Sequence, residues 1–576
     1  NATYSVCPLG SNDWQLKADN INLNTGTNRG VAENVTLEIF GMPVFYSPRY
    51  EWVLEGRESG FLSPSFGTYN EKADGKNGYR VRIPYYFNIA PDRDLLLTIN
   101  HLSTRGSVAE VLYRQLISQS DLWQGGRFEI AGEYLEEDDI TKNKRWLIDS
   151  KLDLSINAEI DLGLKVNRAS DEDYFEDIAH KNTSESSLRS EIDITYKDDE
   201  NLTLAVFAES EQLINRGVAA YTRAPELLIS KSVKGLGGRS TELSLVSSNF
   251  KHAGTQTTGI RTHLQANFKR KISTKGYSIS PSLNLSHANY SLDNTADKNR
   301  TIGTFNIDSK LFLEREISLF ETNLVQTLTP RLAYRYTPKL DQSGLPSFDS
   351  VAKIDTYEGL FSGQKFTGLD RISNANDFTF GLESEFIDAD SGDTYLSFKA
   401  AQTFFLDSQQ LDFDGFLVEQ RKYSDIATTL DFELGNFTFN NALQFNPENG
   451  ELSEQDSAIT YNLSPRKFLT LAYHDDDGIE SAEAYGAYPI TQNIHIFGGV
   501  NRSINDSITN KETTGIAYES CCWALRLAHF KEHIDSDNFD RTTSIELVFK
   551  GLGSTSPDLA RRLEASIPNY LANLDD

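Results

Sequence analysis

Residues 151–166 read KLDLSINAEIDLGLKV, and every even-numbered position in this stretch is apolar. An amphipathic helix would instead repeat its apolar residues at i, i+3 and i+4. We therefore interpret the stretch as one long strand, since an ordinary strand has only about 5–6 residues. One apolar face and one charged face are typical of a strand that separates lipid from a polar lumen.

The same alternation returns along most of the chain. Apolar residues alternate in TLAVF (203–207), SLNLS (282–286), DFTFGL (377–382) and SIELVF (544–549). Polar, turn-rich segments separate these runs, and short turns alternate with longer acidic loops, as at the two unequal rims of an outer-membrane barrel. About 500 residues, at about 10 per strand plus a similar connection, give about 25 strands, and the even numbers 24 and 26 remain open.

The bulk composition agrees with a barrel and excludes several other classes. The mean hydropathy is -0.44 and the apolar content 39%, and no run approaches the roughly 18 apolar residues of a membrane helix. The formal charge of -28 argues against a nucleic-acid partner, which needs basic stripes. The sequence thus predicts an all-β transmembrane barrel over 56–553, preceded by a small β-domain over 1–55 and followed by a tail over 554–576, with a short helix after Pro557.

The three cysteines allow the most specific prediction from individual residues, because they limit the possible disulfide bonds. Cys521 and Cys522 are neighbours, and adjacent side chains of a strand point to opposite faces, so a bond between them is unfavourable. Cys7, more than 500 residues away, is the available partner in an oxidising envelope compartment. One thiol of the three is then left over, and its partner is expected upstream of Asn1 in a processed or truncated chain. The alternative is three reduced, buried cysteines.

Enzyme chemistry finds little support in the sequence. His529, Glu532 and His533 match the H-x-x-E-H zinc motif, but that motif needs a helix, and here the segment continues a strand. In a strand, positions i and i+4 lie about 13 Å apart, too far for one zinc ion. No nucleophile elbow or Walker loop occurs. Acidic runs such as 136–139 and basic clusters such as 142–145 are interpreted as solvated loops, with calcium or lipid phosphate binding as the alternative. We expect no catalytic residue, metal or cofactor.

Eight stretches resemble the LptD family of lipopolysaccharide-assembly outer-membrane proteins, in order and spacing. They are CPLGSNDWQL (7–16), GMPVFYSPRYEW (41–52), SGFLSPSFG (59–67), IPYYFNIAPDRDLLLT (83–98), TLTPRLAYRYTP (327–338), GLFSG (359–363), GLDRISNAN (368–376) and ESCCWALRL (519–527). The vicinal cysteine pair is the most specific of these features. The resemblance covers essentially the whole chain.

The resemblance implies a barrel of 26 strands in the cell outer membrane, preceded by part of a periplasmic β-jellyroll. It implies a lipopolysaccharide translocon with a lipoprotein plug of the LptE type inside the barrel and a periplasmic bridge protein of the LptA type at the jellyroll. The family pairs its four cysteines first to third and second to fourth. The implied bond is therefore Cys7–Cys522, and the implied partner of Cys521 is a cysteine absent from this chain.

The resemblance also implies a lateral gate between the first and last barrel strands, through which lipopolysaccharide enters the outer leaflet. Pro64 and Pro84 fall in the first two candidate strands, and proline cannot donate to a strand ladder, so both would weaken a seam with Ser544–Phe549. The prolines could instead merely end strands at a rim. The competing functions are a passive porin or a plugged receptor barrel, and an outer-membrane enzyme acting on lipids.

Overall fold

The computed structural model describes most of the chain, and it is built almost entirely from antiparallel strands. The described residues are 2–5, 7, 13–24, 29–53, 56–62, 64–71, 77–179, 186–214, 217–319, 322–353, 355–407, 412–413, 416–417, 421–464, 466–476, 478–520, 522–535, 538–549, 553–554, 557–568 and 570. Within them, no helix is long and apolar enough to cross a membrane.

Five strands form an N-terminal sheet in the order β1-β2-β4-β3, with β5 also paired to β4. They are β1 (Ala2–Tyr4), β2 (Trp14–Ala18), β3 (Asn20–Asn24), β4 (Arg29–Ile39) and β5 (Met42–Val53). A buried cluster of Ala18, Ala32 and Val35 packs one face of this sheet. The arrangement is consistent with part of a jellyroll.

The remaining strands form a closed barrel and its accessory pieces. The first half of the barrel contains β6 (Gly60–Phe61), β7 (Ser65–Asn70), β8 (Asn77–Ala90), β9 (Arg93–Leu102), β10 (Gly106–Ile117), β11 (Gly125–Leu135), β12 (Arg145–Ser155), β13 (Ile160–Ala169), β14 (Ser187–Lys197), β15 (Leu202–Leu213), β16 (Thr222–Gly235), β17 (Arg239–Lys251), β18 (Gly259–Arg270), β19 (Ile272–Ser273) and β20 (Tyr277–Leu292).

The second half contains β21 (Lys298–Leu311), β22 (Leu313–Leu319), β23 (Thr322–Thr337), β24 (Ala375–Asp388), β25 (Thr394–Phe405), β28 (Ile426–Leu434), β29 (Phe437–Phe445), β30 (Leu452–Ser464), β31 (Lys467–Asp476), β32 (Ile479–Pro489), β33 (Ile494–Ser503), β34 (Thr509–Glu519), β35 (Trp523–Asp535), β36 (Asn538–Phe549) and β37 (Gly553–Ser554). A separate hairpin pairs β26 (Asp412–Phe413) with β27 (Phe416–Leu417). The helices are α1 (Tyr357–Ser362), α2 (Pro557–Ser566) and a π-helical turn at Phe175–Ala179.

The barrel has 26 strands over the described residues, because three of them are interrupted and each is written as two pieces. These pieces are β6 with β7, β18 with β19, and β21 with β22, while β37 lies outside the count. The structure confirms the higher of the two strand numbers left open by the sequence. The closed order ends with β36 beside β37, β6 and β7.

Residues 151–166, interpreted from the sequence as one long strand, form a hairpin of two strands. β12 ends at Ser155, β13 begins at Ile160, and Leu152 pairs with Leu164 across the turn. The Asn157 side chain accepts hydrogen bonds from the backbone N–H groups of Glu159 and Ile160 and so supports the turn. The turn has four residues. Because this number is even, apolar residues stay at even-numbered positions in both strands, and the sequence pattern shows no interruption at the turn.

Long connections lie at one rim of the barrel and short turns at the other. The longest connection, 338–374, joins β23 to β24 and contains α1. The N-terminal sheet leads into β6 at the opposite, short-turn rim. Along the strands, apolar side chains such as Leu471, Ile496 and Leu527 are exposed on the outer face, while their neighbours point into the lumen. This is the alternation expected of a barrel in lipid.

Candidate functional site

The closing seam of the barrel is far shorter than its other strand pairings. Among the described residues, β36 pairs with β7 only at Thr543↔Thr68, Ser544↔Gly67 and Ile545↔Phe66. On its other side, β36 pairs with β35 from Trp523↔Phe549 to Asp535↔Asn538. The seam is therefore the weakest junction in the circumference, because each strand pairing is stabilised by its ladder of hydrogen bonds.

Pro64 lies in the break between β6 and β7, and Pro84 lies within β8. Phe61 pairs with Tyr85 and Ser65 with Arg82, so three residues of the first strand lie opposite two of the second. This one-residue excess is a bulge centred on the break, and the backbone N–H of Leu62 donates to the carbonyl oxygen of Pro84 across it. The irregularity therefore adjoins Phe66, which is the last described residue on this side of the first strand to pair with β36.

Ser544 and Phe549 occupy different surroundings, although both belong to the last strand. Ser544 lies opposite Gly67 within the seam. Phe549 pairs instead with Gly553, and Val548 with Ser554, so β37 takes the edge of β36 below the seam. In the order around the barrel, β37 stands between β36 and β6. The sequence did not predict this extra strand.

A disulfide joins Cys7 to Cys522, with the Cα atoms 5.2 Å apart. Around it, Trp14 and Cys522 are fully buried, and Trp523 packs beside them. The Trp14 indole N–H donates to the carbonyl oxygen of Cys522 at 3.2 Å. The cluster extends to Leu547 of the last strand, so the bond ties the N-terminal sheet directly beside the seam. The prediction for Cys521 concerns a residue outside the described part of the chain.

The opposite end of the first strand is anchored by a buried ion-pair network. Arg105, only 1% exposed, donates to Glu71 at 2.9 Å and to Asp138 at 2.8 Å and also contacts Asp177. Arg145 contacts Asp138 at 3.1 Å. Asp138 and Arg145 were expected in solvated loops, and that expectation is wrong for both, because the loops fold onto each other. Burial would raise the pKa of the Asp138 carboxyl, but the Ile140 N–H and Arg105 lower it below its usual range.

The connection 338–374 folds into the lumen and covers the inner wall of several strands. Tyr357, Leu360 and Phe361 of α1 are buried against Ala333, Ala401 and Ala427. Gly381 leaves room for the helix, since a Cβ there would lie 2.6 Å from the Phe361 ring. Thr356 accepts from the Gly359 N–H as the N-cap, and Gly363, with φ 68°, ends the helix.

Ion pairs hold the same connection to the wall. Arg261 donates to Asp349 at 2.7 Å and to Asp370 at 2.8 Å, and Arg331 stacks on Phe361 at 3.8 Å. Burial would raise the pKa of the Asp349 carboxyl, but the Arg261 guanidinium holds it below its usual range. Of the stretches singled out in the sequence, 359–363 lies wholly and 368–376 largely within this connection, whereas 327–338 forms most of β23, the strand that carries Arg331. The apolar residues Leu345, Phe348, Leu360 and Phe361 were the one sequence signal that this connection is buried.

The H-x-x-E-H residues are not brought together. All three lie in β35, where His529 contacts the Thr543 hydroxyl and Glu532 contacts Arg562 and Lys511. His529 and Glu532 are three positions apart in a strand and therefore point to opposite faces. Over the part of the chain that the structure describes, no group of three or more His, Cys, Asp or Glu side chains could hold a metal ion.

The N-terminal sheet and the first strand expose large apolar side chains. On β5 these are Met42, Val44, Phe45 and Tyr46, and Met42 is 65% exposed. On β6, Phe61 is 74% exposed and packs edge-on against Tyr85. Only six residues separate the end of β5 from the start of β6. A group of exposed apolar side chains of this kind marks a surface for binding an apolar ligand or partner.

Comparisons with known proteins agree on one family. The family model "LptD: LPS transport system D" matches residues 143–496, more than half of the chain. The LPS-assembly protein LptD of Burkholderia lata is 28% identical over 99% of this chain and 75% of its own length. That of Pseudoalteromonas atlantica is 26% identical over 96% of this chain and 74% of its own length.

Among solved structures, the alcaligin outer-membrane receptor FauA of Bordetella pertussis aligns with 90% of this chain and 80% of its own. The sequence identity is 9% and the TM-score 0.30.

Proposed function

The chain belongs to the LptD family of the lipopolysaccharide transport system, and from this premise we propose that it inserts lipopolysaccharide into the outer leaflet through the seam between β7 and β36. As a member of the family it is a transport protein of the outer membrane with a 26-strand barrel. The lateral route is our proposal. The observation that carries it is the three-position pairing of β36 with β7, since even the shorter of the other junctions, such as β13 with β14, pair at six positions.

The two ends of the first strand support a directed opening. Its long-loop end is held through Glu71 to the buried Arg105 network. Its short-turn end is interrupted at Pro64, and none of its described residues pairs with Val548 or Phe549. Opening should therefore start at the periplasmic end, where the substrate arrives, and use the anchored end as a hinge.

The N-terminal sheet is proposed to deliver the acyl chains. Its exposed apolar residues on β5 offer the only kind of surface on which acyl chains can move through water without full exposure. The Cys7–Cys522 bond and the Trp14 cluster place this sheet beside the last strands of the barrel. A periplasmic bridge protein of the LptA type would hand the lipid to this sheet.

A lipoprotein plug of the LptE type is proposed to occupy the lumen that the 338–374 connection leaves open. One such space, of about 440 Å³, is lined by α1 and by polar inward residues including Asp431, Asp456 and His474. No catalytic residue is proposed, since translocation needs a path and a source of energy but no bond chemistry in this chain.

The test replaces the two prolines of the first two strands, Pro64 beside the seam and Pro84 in β8, as Pro64→Ala with Pro84→Ala, in the full chain in cells. Both new residues carry an N–H that can donate to a neighbouring strand, so we expect a tighter seam and slower appearance of new lipopolysaccharide at the surface. Pro281→Ala is the control, because Pro281 lies inside β20, remote from the seam. Export as fast as in the control would remove the gate role of the prolines.

A further inference from the structure

The C-terminal helix α2 lies inside the barrel rather than on its surface. Leu559, Leu563, Ile567 and Tyr570 recur at helical spacing, and each is at most 1% exposed. They pack against inward residues of β31 to β35, namely Phe468, Ala487, Phe497, Ala517, Ala528 and Phe530. On the same strands Leu469, Ile496 and Leu527 are exposed on the opposite, outer face. The helix therefore covers the lumenal wall next to the seam.

Specific polar and steric features fit the helix to this wall. The Tyr570 hydroxyl and the His495 Nε2 atom lie 2.6 Å apart and are buried together. The Arg562 guanidinium stacks 4.2 Å from the centre of the Phe530 ring and contacts Glu532. Gly499 permits the close approach, because a Cβ there would lie 3.0 Å from the Ser566 carbonyl oxygen. The helix is docked in one defined position.

The same segment supplies β37, which reaches the seam just before the helix begins. Gly553 and Ser554 pair with Phe549 and Val548, and Pro557 starts α2 only three positions later. So short a connection cannot let α2 leave the wall while β37 stays where it is. β37 lies between β36 and β6, which have no direct pairing of their own in the described residues.

We propose that β37 and α2 together form a strap that closes the periplasmic half of the seam, with α2 as its anchor in the lumen. The inference rests on the proposed function for its purpose, since a strap at a lateral gate limits opening to moments when substrate displaces β37. Apart from this purpose, the proposal concerns only what holds β36 and β6 together at the seam. Releasing α2 should free β37 and let β36 and β6 separate.

The test measures the width of the seam directly in the full chain purified from outer membranes. Nitroxide labels are placed at Phe61→Cys on β6 and Leu547→Cys on β36, in a Cys521→Ser background, and their distance is read by pulsed electron paramagnetic resonance. Leu559→Asp with Leu563→Asp places two carboxylates in the buried face of α2. Ala565→Asp is the matched control, since Ala565 is exposed on the same helix.

We expect the label distance to lengthen by about 5 Å or more, one strand spacing, in the double variant and to stay unchanged in the control. A chain that ends at Ser554 keeps β37 but lacks α2, and its label distance should lengthen by a similar amount. This second variant tests the strap without introducing aspartates. Native-like electrophoretic mobility before heating checks that each barrel has folded. An unchanged distance, or a shorter one with β6 moving directly onto β36, overturns the strap. Neither readout uses lipopolysaccharide, so this failure is distinct from failure of the lateral route.

Discussion

At the scale of single residues, the disulfide and its neighbours set where the N-terminal sheet sits. Cys7 and Cys522 are separated by 515 positions, yet both belong to one buried cluster with Trp14. A bond that closes so long a loop restricts the unfolded chain and is expected to stabilise the native state by ~2–4 kcal/mol. The pairing came from the family resemblance, because adjacency excluded Cys521–Cys522 but could not choose between the two partners of Cys7.

We predict that Cys522→Ser loosens the N-terminal sheet while leaving the barrel assembled. Limited proteolysis between β5 and β6 should become several-fold faster, because the Trp14 cluster alone then holds the sheet. Cys521→Ser is the neighbouring control and should leave the cleavage rate unchanged in this chain. Equal rates in the two variants would mean that apolar packing, and not the bond, positions the sheet.

Arg105 is the second decisive residue, as the shared partner of Glu71, Asp138 and Asp177. We predict that Arg105→Gln lowers the free energy of unfolding by ~3–5 kcal/mol, since it removes the one guanidinium that contacts all three carboxylates, two of which would then keep only Arg145 as a cationic partner. Lys142→Gln removes a similar charge from an exposed ion pair in the same loop region and should cost only ~0–1 kcal/mol. Urea titration of the barrel in lipid vesicles measures the free energy of unfolding of both variants. Equal losses in the two variants would refute a structural role for the network.

At the scale of elements, the lumenal plug formed by 338–374 depends on small residues in the wall. Gly381→Val would drive a side chain into the Phe361 ring and should expel α1 from its site. We expect ion conductance in planar bilayers to rise at least severalfold over the native chain. Ala458→Val enlarges an inward residue beside the open lumenal space and is the control. Conductance unchanged from this control would show that α1 does not restrict the lumen.

Sequence alone predicted the strands better than their ends or their connections. Apolar and polar residues alternate because one face of each strand faces lipid. The alternation continues through 151–166 although the chain turns back there as a hairpin. The 338–374 connection was missed because its apolar residues are few and have no strand period. For α2, the helix was predicted, but its place in the lumen was not, although Leu559, Leu563 and Ile567 already formed an apolar stripe.

The seam itself could be located only in part. Pro64 and Ser544 lie in or beside the strands that meet there, whereas Pro84 lies one strand away in β8 and Phe549 pairs with β37, which no sequence pattern predicted. A two-residue strand is too short to show any period. Buried ion pairs such as Arg105 with Asp138 were likewise invisible, because charged residues in a loop are ordinarily solvated.

At the scale of the whole molecule, the barrel combines a firmly paired wall with one short junction. The N-terminal sheet is bonded beside that junction, α1 and α2 cover parts of the lumenal wall, and the Arg105 network anchors the first strand at its long-loop end. A passive porin would need an open lumen and would gain nothing from a weak seam. The arrangement favours a barrel that opens sideways.

The most direct test closes the seam with an engineered disulfide and measures the export of lipopolysaccharide. Phe66 and Ile545 are partners in register on the outer face, so Phe66→Cys with Ile545→Cys should form a disulfide across the junction in a Cys521→Ser background. Tyr461→Cys with Leu469→Cys bridges two outward partners of β30 and β31 as the control. We predict that the seam lock stops export of new lipopolysaccharide, that reduction restores it, and that the control lock has no effect. Export that continues through a fully oxidised seam would contradict the lateral route.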